Sequence, residues 1–233
     1  MDTISQNHND TRLKAEVIVT CCALAQRGLT YGTSGNVSVR RDAESFFISP
    51  TGVPYEQLDD IPIMDFKGNW YGTRRPSSEW RFHRDILKAR PEINAVVHTH
   101  SKFAVALACS GQSIPAFHYM VAVAGGSDIR CAPYATFGSR ALSDHALTAL
   151  EGRKACLLAN HGVIATAADL PAALRLAGEV ENLAAQYCAA LAAGEPQLLG
   201  EVEMARVVEL FRTYGKQGSD HDPELRFGGA DRS

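Results

Sequence analysis

The sequence predicts an α/β fold: a single domain in which a central, mainly antiparallel β-sheet is covered by helices. Three observations predict it. Short apolar or alternating runs, among them Val37–Arg40, Phe46–Ile48, Ala95–Thr99 and Lys154–Ala159, cluster in the middle of the chain and read as strands. Apolar residues at helical spacing precede, separate and follow those runs. The connections after Phe46 are shorter than the about a dozen residues that a parallel crossover needs, so neighbouring strands run antiparallel. With 233 residues, 45% of them hydrophobic, the chain can bury one sizeable core.

Residues 1–11 are polar and are expected to be a flexible N-terminus, with 12–215 forming the domain. From Leu13, Val17, Ile18, Cys21, Cys22, Leu24 and Ala25 recur at helical spacing, and Gly28 stands where a helix stop belongs. Tyr31–Asn36 is a glycine-rich turn feeding the strand Val37–Arg40. Phe46–Ile48 runs into the small-residue loop Ser49–Gly52. Asp59-Asp60, Pro62 and Gly68-Asn69 then punctuate short strands such as Ile61–Asp65, the pattern of a meander. The loop Arg75–Ser78 opens a helix over 79–89, which Ser77 or Ser78 is placed to cap and Pro91 ends. After the strand Ala95–Thr99 comes a short helix, Phe103–Cys109, closed by Gly111. Ile114–Met120 and, past a Gly125-Gly126 break, Cys131–Gly138 read as a strand and an ordered loop. Ser143–Leu150 is helical, Lys154–Ala159 is a strand, and Asp169-Leu170-Pro171 starts an alanine-rich helix that runs to Gly194. A last helix over about 201–214 leads to a polar tail, 216–233, expected to be mobile.

A net charge of −3, with lysines and arginines scattered, argues against a nucleic-acid or anionic-membrane surface and for small-molecule chemistry. No run approaches the roughly 20 consecutive apolar residues of a membrane span. The N-terminus lacks a signal-peptide layout, so a cytoplasmic location is expected. The six cysteines read as reduced thiols: Cys21 and Cys22 are adjacent, and Cys156 and Cys188 sit in apolar patterns.

The chemistry concentrates at two strand ends. Ala95-Val96-Val97-His98-Thr99-His100 closes on two histidines at i and i+2, which share one face of a strand. Ala155–Ala159 closes on Asn160-His161-Gly162, so a third imidazole can arrive from a neighbouring strand. Any one of these is adequately explained as an inert, hydrogen-bonded residue at a strand end. Three together suit an open zinc site that keeps one position for substrate or water. Ser34-Gly35-Asn36, Pro50-Thr51-Gly52 and Pro76-Ser77-Ser78 offer backbone N–H groups and short donors; each alone is an ordinary turn, and together they can cradle a phosphate. Glu79 alone is a first-turn helix carboxylate, but a metal site acting on a carbonyl compound needs such a group to move a proton. No P-loop, dinucleotide fingerprint or Gly-x-Ser-x-Gly elbow is present, and no lysine sits mid-strand for Schiff-base chemistry. No carboxylate follows His100 closely, which sets the chain apart from cupin-type His-x-His sites.

These segments, with Pro76–His83 and Cys131–Gly138, resemble the class II aldolase/adducin family from about Leu13 to Tyr214. The resemblance implies a three-layer α/β fold and a fourfold homotetramer with active sites at subunit interfaces. It implies one Zn²⁺ per subunit on His98, His100 and His161, with Glu79 as acid/base and as a further metal ligand when substrate is absent. Gly35, Asn36, Thr51, Gly52, Ser77 and Ser78 match its phosphate-binding positions. Tyr119, Phe137 and Tyr214 match residues that shape the aldehyde end, the tyrosines coming across an interface. The implied reaction is reversible cleavage of a ketose 1-phosphate, L-fuculose 1-phosphate or a related deoxyketose 1-phosphate, to dihydroxyacetone phosphate and a short aldehyde. A sugar-phosphate 4-epimerase of the same family, typically with Asp in place of Glu79, is the nearest alternative. A non-catalytic adducin-like scaffold is the alternative of another class.

Overall fold

The computed structural model describes residues 3–212. In chain order these form helix α1 (Thr3–Gln26), strands β1 (Asn36–Arg40), β2 (Ser45–Ile48), β3 (Ile63–Asp65) and β4 (Trp70–Tyr71), and helix α2 (Trp80–Ala89). Strand β5 (Ala95–Thr99), helix α3 (Lys102–Cys109), strand β6 (Cys131–Ala132) and helix α4 (Arg140–Ala149) follow. Strands β7 (Ala155–Leu158) and β8 (Gly162–Ala167) and helices α5 (Leu170–Ala193) and α6 (Glu201–Leu210) complete the order. The strands form one sheet, β4-β3-β2-β1-β5-β8-β7-β6, and every pairing among the described residues is antiparallel except β6 with β7. The mainly antiparallel sheet is as expected.

Strand alternation sorts the side chains into two cores. Val37, Phe47, Ala95, Val97, Leu157 and Val163 pack with Leu24, Leu107 and Val180, on the face covered by α1, α3 and α5. Phe46, Ile48, Val96, Cys156, Leu158 and Ile164 pack with Phe82, Ile86 and Leu142, on the face covered by α2 and α4. Each fully buried Leu, Ile or Phe contributes roughly 1.5–3 kcal/mol. Pairing of Val97 with Val37 on one side and with Ala165 on the other leaves His98, two residues beyond Val96, on the α2/α4 face. A one-residue slip would turn it to the opposite layer.

Several boundaries differ from those expected. Helix α1 starts at Thr3, so residues 3–11, expected as a flexible N-terminus, are helical. They carry no apolar periodicity to read, but Asp10 accepts two hydrogen bonds from Arg41 at the end of β1, at 2.8 and 3.0 Å, which ties them to the sheet. The stop at Gly28 is as expected: it is left-handed (φ 66°), Leu29 N–H reaches Leu24 C=O at 2.9 Å, and Gly28 N–H reaches Ala25 C=O at 3.0 Å, the Schellman closure. Neither Ser77 nor Ser78 is the cap of α2. That position is held by Glu79, and the Ser77 hydroxyl accepts the Glu79 N–H at 3.2 Å. The strand near residue 131 is confined to Cys131–Ala132, because Pro133 has no N–H to extend the ladder, and Tyr119–Ala124 forms a 3₁₀ turn. Strand β8, unanticipated, is central. Its six residues turn back from β7 through Asn160, whose φ of 54° is the one positive value outside glycine among the described residues.

Candidate active site

The sheet delivers His98 from the end of β5, His100 just beyond it, and His161 from the β7–β8 turn, while Glu79 caps the start of α2. The ligand-type atoms of these four residues lie within 4.8 Å of one another. Glu79 is 5% exposed. Its Oε2 lies 3.2 Å from His98 Nε2 and its Oε1 3.1 Å from His161 Nε2. The Asn36 amide donates to Oε2 at 3.0 Å, whereas Oε1 has no hydrogen bond.

The donor chemistry fits a divalent metal. His98 Nδ1 is 2.8 Å from the Val163 carbonyl, which can only accept, so the neutral ring carries its hydrogen on Nδ1 and offers Nε2 as a lone pair. That lone pair faces His100 Nε2 at 2.9 Å and the Glu79 carboxylate. A shared proton or a cation must sit among such atoms, and three imidazoles with one carboxylate are a metal's ligand set. Gly162 makes the approach possible. A Cβ there would lie 2.4 Å from the Thr99 carbonyl and 3.0 Å from both His98 and His100.

A cleft of about 300 Å³ opens above these groups, lined by Gly35, Asn36, Thr51, Ser77, Ser78, Glu79, His100, Phe137 and His161, and by Thr33, Ser34, Tyr134 and Asn160. Backbone pairing assembles its three small-residue loops. Ser49 N–H reaches Val37 C=O at 2.9 Å, Ser77 N–H reaches Ser49 C=O at 3.0 Å, and Thr51 N–H reaches Arg75 C=O at 3.1 Å. Tyr55 donates to the Gly35 carbonyl at 2.7 Å and steadies the first loop. The loops are uncharged, so backbone N–H groups, hydroxyls and an amide are what they present to an anion.

The chain matches the class II aldolase and adducin N-terminal domain over residues 15–188. It belongs to that family. A 5-methylthioribulose-1-phosphate/5-deoxyribulose-1-phosphate aldolase of Rhodospirillum rubrum is 57% identical over 190 residues, 81% of this chain and 86% of that protein. An L-fuculose phosphate aldolase of Escherichia coli is 48% identical over 207 residues, 88% of this chain and 96% of that one. Among solved structures, an L-fuculose 1-phosphate aldolase matches with a TM-score of 0.83 at 42% identity, covering 86% of this chain and 96% of its own. The fold is that of these neighbours, and the chain is a class II aldolase, a lyase.

In this class II aldolase, His98, His100, His161 and Glu79 come together as expected, and five of the six expected loop residues line the cleft. Gly52 shares the Thr51 loop, left-handed at φ 69°, but does not line the cleft. Tyr119 begins the 3₁₀ turn and stands half exposed outside the lining of this chain's cleft. Tyr214 lies outside the described residues. Sequence reasoning passed over Tyr134, Asn160 and the buried His83. His83 closes the Pro76–His83 segment and follows Glu79 by four residues, one helical turn on, which was the signal for it.

Electrostatics follow burial. Desolvation opposes the Glu79 charge, but the positive charge of a proton shared with the His98 and His161 rings outweighs it and holds the carboxyl well below the usual carboxylate range. Burial, with His98 and His161 nearby, pulls His100 down to about 4. Burial, and then His98, pulls His83 down to about 3. In the unfolded chain His83 titrates near its ordinary 6.5 and in the fold near 3, so between these values the unfolded state binds more protons. Stability of the metal-free aldolase should therefore be full above pH 6.5 and fall as pH drops towards 3, with about 1.4 kcal/mol per pH unit from this one ring. Urea titrations at several pH values check it: His83→Gln should lose that share of the slope.

Proposed function

We propose that this class II aldolase reversibly cleaves a ketose 1-phosphate to dihydroxyacetone phosphate and a short aldehyde, with one zinc ion per subunit on His98, His100 and His161. The observation that carries the reading is the Glu79 carboxylate, buried among three imidazoles at the floor of a cleft walled by uncharged donor loops. Zinc bound there supplies the positive charge that stabilises the enediolate left when the C–C bond breaks. Gly35, Asn36, Thr51, Gly52, Ser77 and Ser78 hold the phosphate through N–H groups and short side chains. Glu79 gives a proton to the enediolate carbon during cleavage and takes it back during synthesis. Phe137 borders the aldehyde end. Tyr119 and Tyr214 reach it from a neighbouring subunit of a homotetramer, where one of them protonates the aldehyde oxygen in the synthetic direction. The exposed Tyr119, Tyr134 and Phe137 are available to such an interface.

The substrate is a deoxyketose 1-phosphate of the L-fuculose 1-phosphate or 5-methylthio- or 5-deoxyribulose 1-phosphate type, as the names of the relatives support. No helix among the described residues is long and apolar enough to cross a membrane, and we place the reaction in the cytoplasm. A panel of these ketose 1-phosphates, assayed for release of dihydroxyacetone phosphate, tests the reading. Release from at least one of them, abolished by chelator and restored by zinc, is expected. Chelator-insensitive release, or no release together with epimerisation of ribulose 5-phosphate, would overturn it.

A further inference from the structure

Behind Glu79 runs a line of buried polar side chains, Asn36, His83 and Ser38, of which the last two belong to neither the metal ligands nor the phosphate loops. Ser38 Oγ is 2.7 Å from His83 Nδ1, His83 Nε2 is 2.5 Å from Asn36 Oδ1, and Asn36 Nδ2 is 3.0 Å from Glu79 Oε2. Ser38 and His83 are fully buried, Asn36 and Glu79 nearly so. The direction of the line follows from its ends. A carboxylate only accepts, so Asn36 turns its NH₂ to Glu79 and its carbonyl to His83. That carbonyl only accepts, so His83 carries its hydrogen on Nε2 and presents Nδ1 as an acceptor, to which the Ser38 hydroxyl donates. Each bond donates towards Glu79.

We infer that Ser38, His83 and Asn36 form a positioning chain for Glu79, in which His83 fixes the Asn36 amide so that its NH₂ holds Oε2 beside His98 and leaves Oε1, which accepts no hydrogen bond, beside His161. This rests on the aldolase reading, in which Glu79 moves the proton. The geometry supports it independently of that reading. His83 stacks on Phe82 at 4.6 Å between ring centroids, and the Phe82 ring meets His98 edge-on at 5.4 Å, so the imidazole has no freedom to follow a turned amide. Asn36 sits directly opposite His98 in the β1–β5 ladder, which fixes its backbone too. With the ring locked, an Asn36 amide turned by 180° would set NH₂ against the His83 N–H and a carbonyl against the carboxylate. Such a flip is excluded twice over.

The test compares wild type with His83→Leu, which keeps bulk and removes both ring nitrogens, and His83→Gln, which retains an N–H donor. Zinc binding should remain at one per chain in all three, because the imidazole ligands are untouched. The KM for the ketose 1-phosphate should change by less than about twofold. The rate of hydrogen exchange at dihydroxyacetone phosphate should fall roughly 10–100-fold in His83→Leu, the range typical of groups that orient a site's primary residues, and recover in part in His83→Gln. The crystal structure of His83→Leu should show the Asn36–Glu79 bond lost or the amide turned. Ser38→Ala, a smaller change, should show the same KM-preserving fall to a lesser degree if His83→Leu does not fold. An unchanged exchange rate, a loss confined to KM, or an intact Asn36–Glu79 bond in a slowed variant would overturn the inference. Absence of exchange in the zinc-loaded wild type would instead overturn the aldolase reading, and the crystallographic comparison would still decide the positioning chain.

Discussion

Zinc-loaded Glu79→Gln is expected to keep its metal and its fold and to lose hydrogen exchange at dihydroxyacetone phosphate by a factor of about 10²–10⁴, the usual worth of a positioned general acid–base group. The substitution is nearly isosteric. With its carbonyl turned to Asn36, the new amide still accepts the bond that reaches Oε2 at 3.0 Å, so no buried donor is stranded there. Its NH₂ then faces His161, which the carboxylate met at 3.1 Å. Three imidazoles are left to hold the ion. What disappears is a group that can shuttle a proton, and the burial that makes Glu79 selective for its neighbours also keeps bulk water from replacing it. Isotope exchange into dihydroxyacetone phosphate measures this step without involving the aldehyde end. Exchange at the wild-type rate would mean that another group moves the proton.

Gly162→Ala should damage fold and metal site together. The added Cβ would sit 2.4 Å from a backbone carbonyl that cannot swing aside, and 3.0 Å from the rings of His98 and His100. The β7–β8 hairpin or the end of β5 has to move. Overpacking of this kind costs roughly 1–3 kcal/mol and occasionally more, and each kcal/mol lowers the melting temperature of a chain this size by about 2–4 °C. Because the obstructed strands carry all three imidazoles, zinc affinity should fall by at least about tenfold, some 1.4 kcal/mol. Calorimetry of the chelated protein and zinc titration against a chromophoric chelator read the two effects separately. Gly178→Ala is the control. Gly178 lies within α5 with nothing within 4 Å of an added Cβ, so alanine there should be neutral or stabilising by up to about 1 kcal/mol. Equal behaviour of the two variants would show that the hairpin yields to the extra methyl.

The parts of this aldolase that could be read in advance are those set by local periodicity. Alternation marked β1, short apolar runs marked β2, β5 and β7, Gly28 and Asp169 marked helix ends, and the spacing of His98 and His100 put both on one strand face. Asp169 does cap α5, accepting the Ala172 N–H at 2.7 Å. Each of these signals lies within a few residues of what it specifies. Strand β8 escaped because Val163–Ala167 is a short run squeezed between the Asn160–Gly162 turn and the Asp169 helix start, and burial on both faces at the centre of the sheet leaves it no alternation to separate it from either. The helical start of α1 escaped because its anchor, Arg41, lies some thirty residues downstream. Strand pairing also decides what the site can do. The β1–β5–β8 register turns His98 towards α2, brings Asn36 against Glu79 across 43 positions of sequence, and seats His83 behind Asn36 across 47. Local sequence chose the ligand types and strand ends, because side-chain periodicity is a property of neighbours. Only the tertiary structure could bring Glu79 against those imidazoles and give it a fixed orientation, because contacts over such separations exist only once the sheet has closed in register.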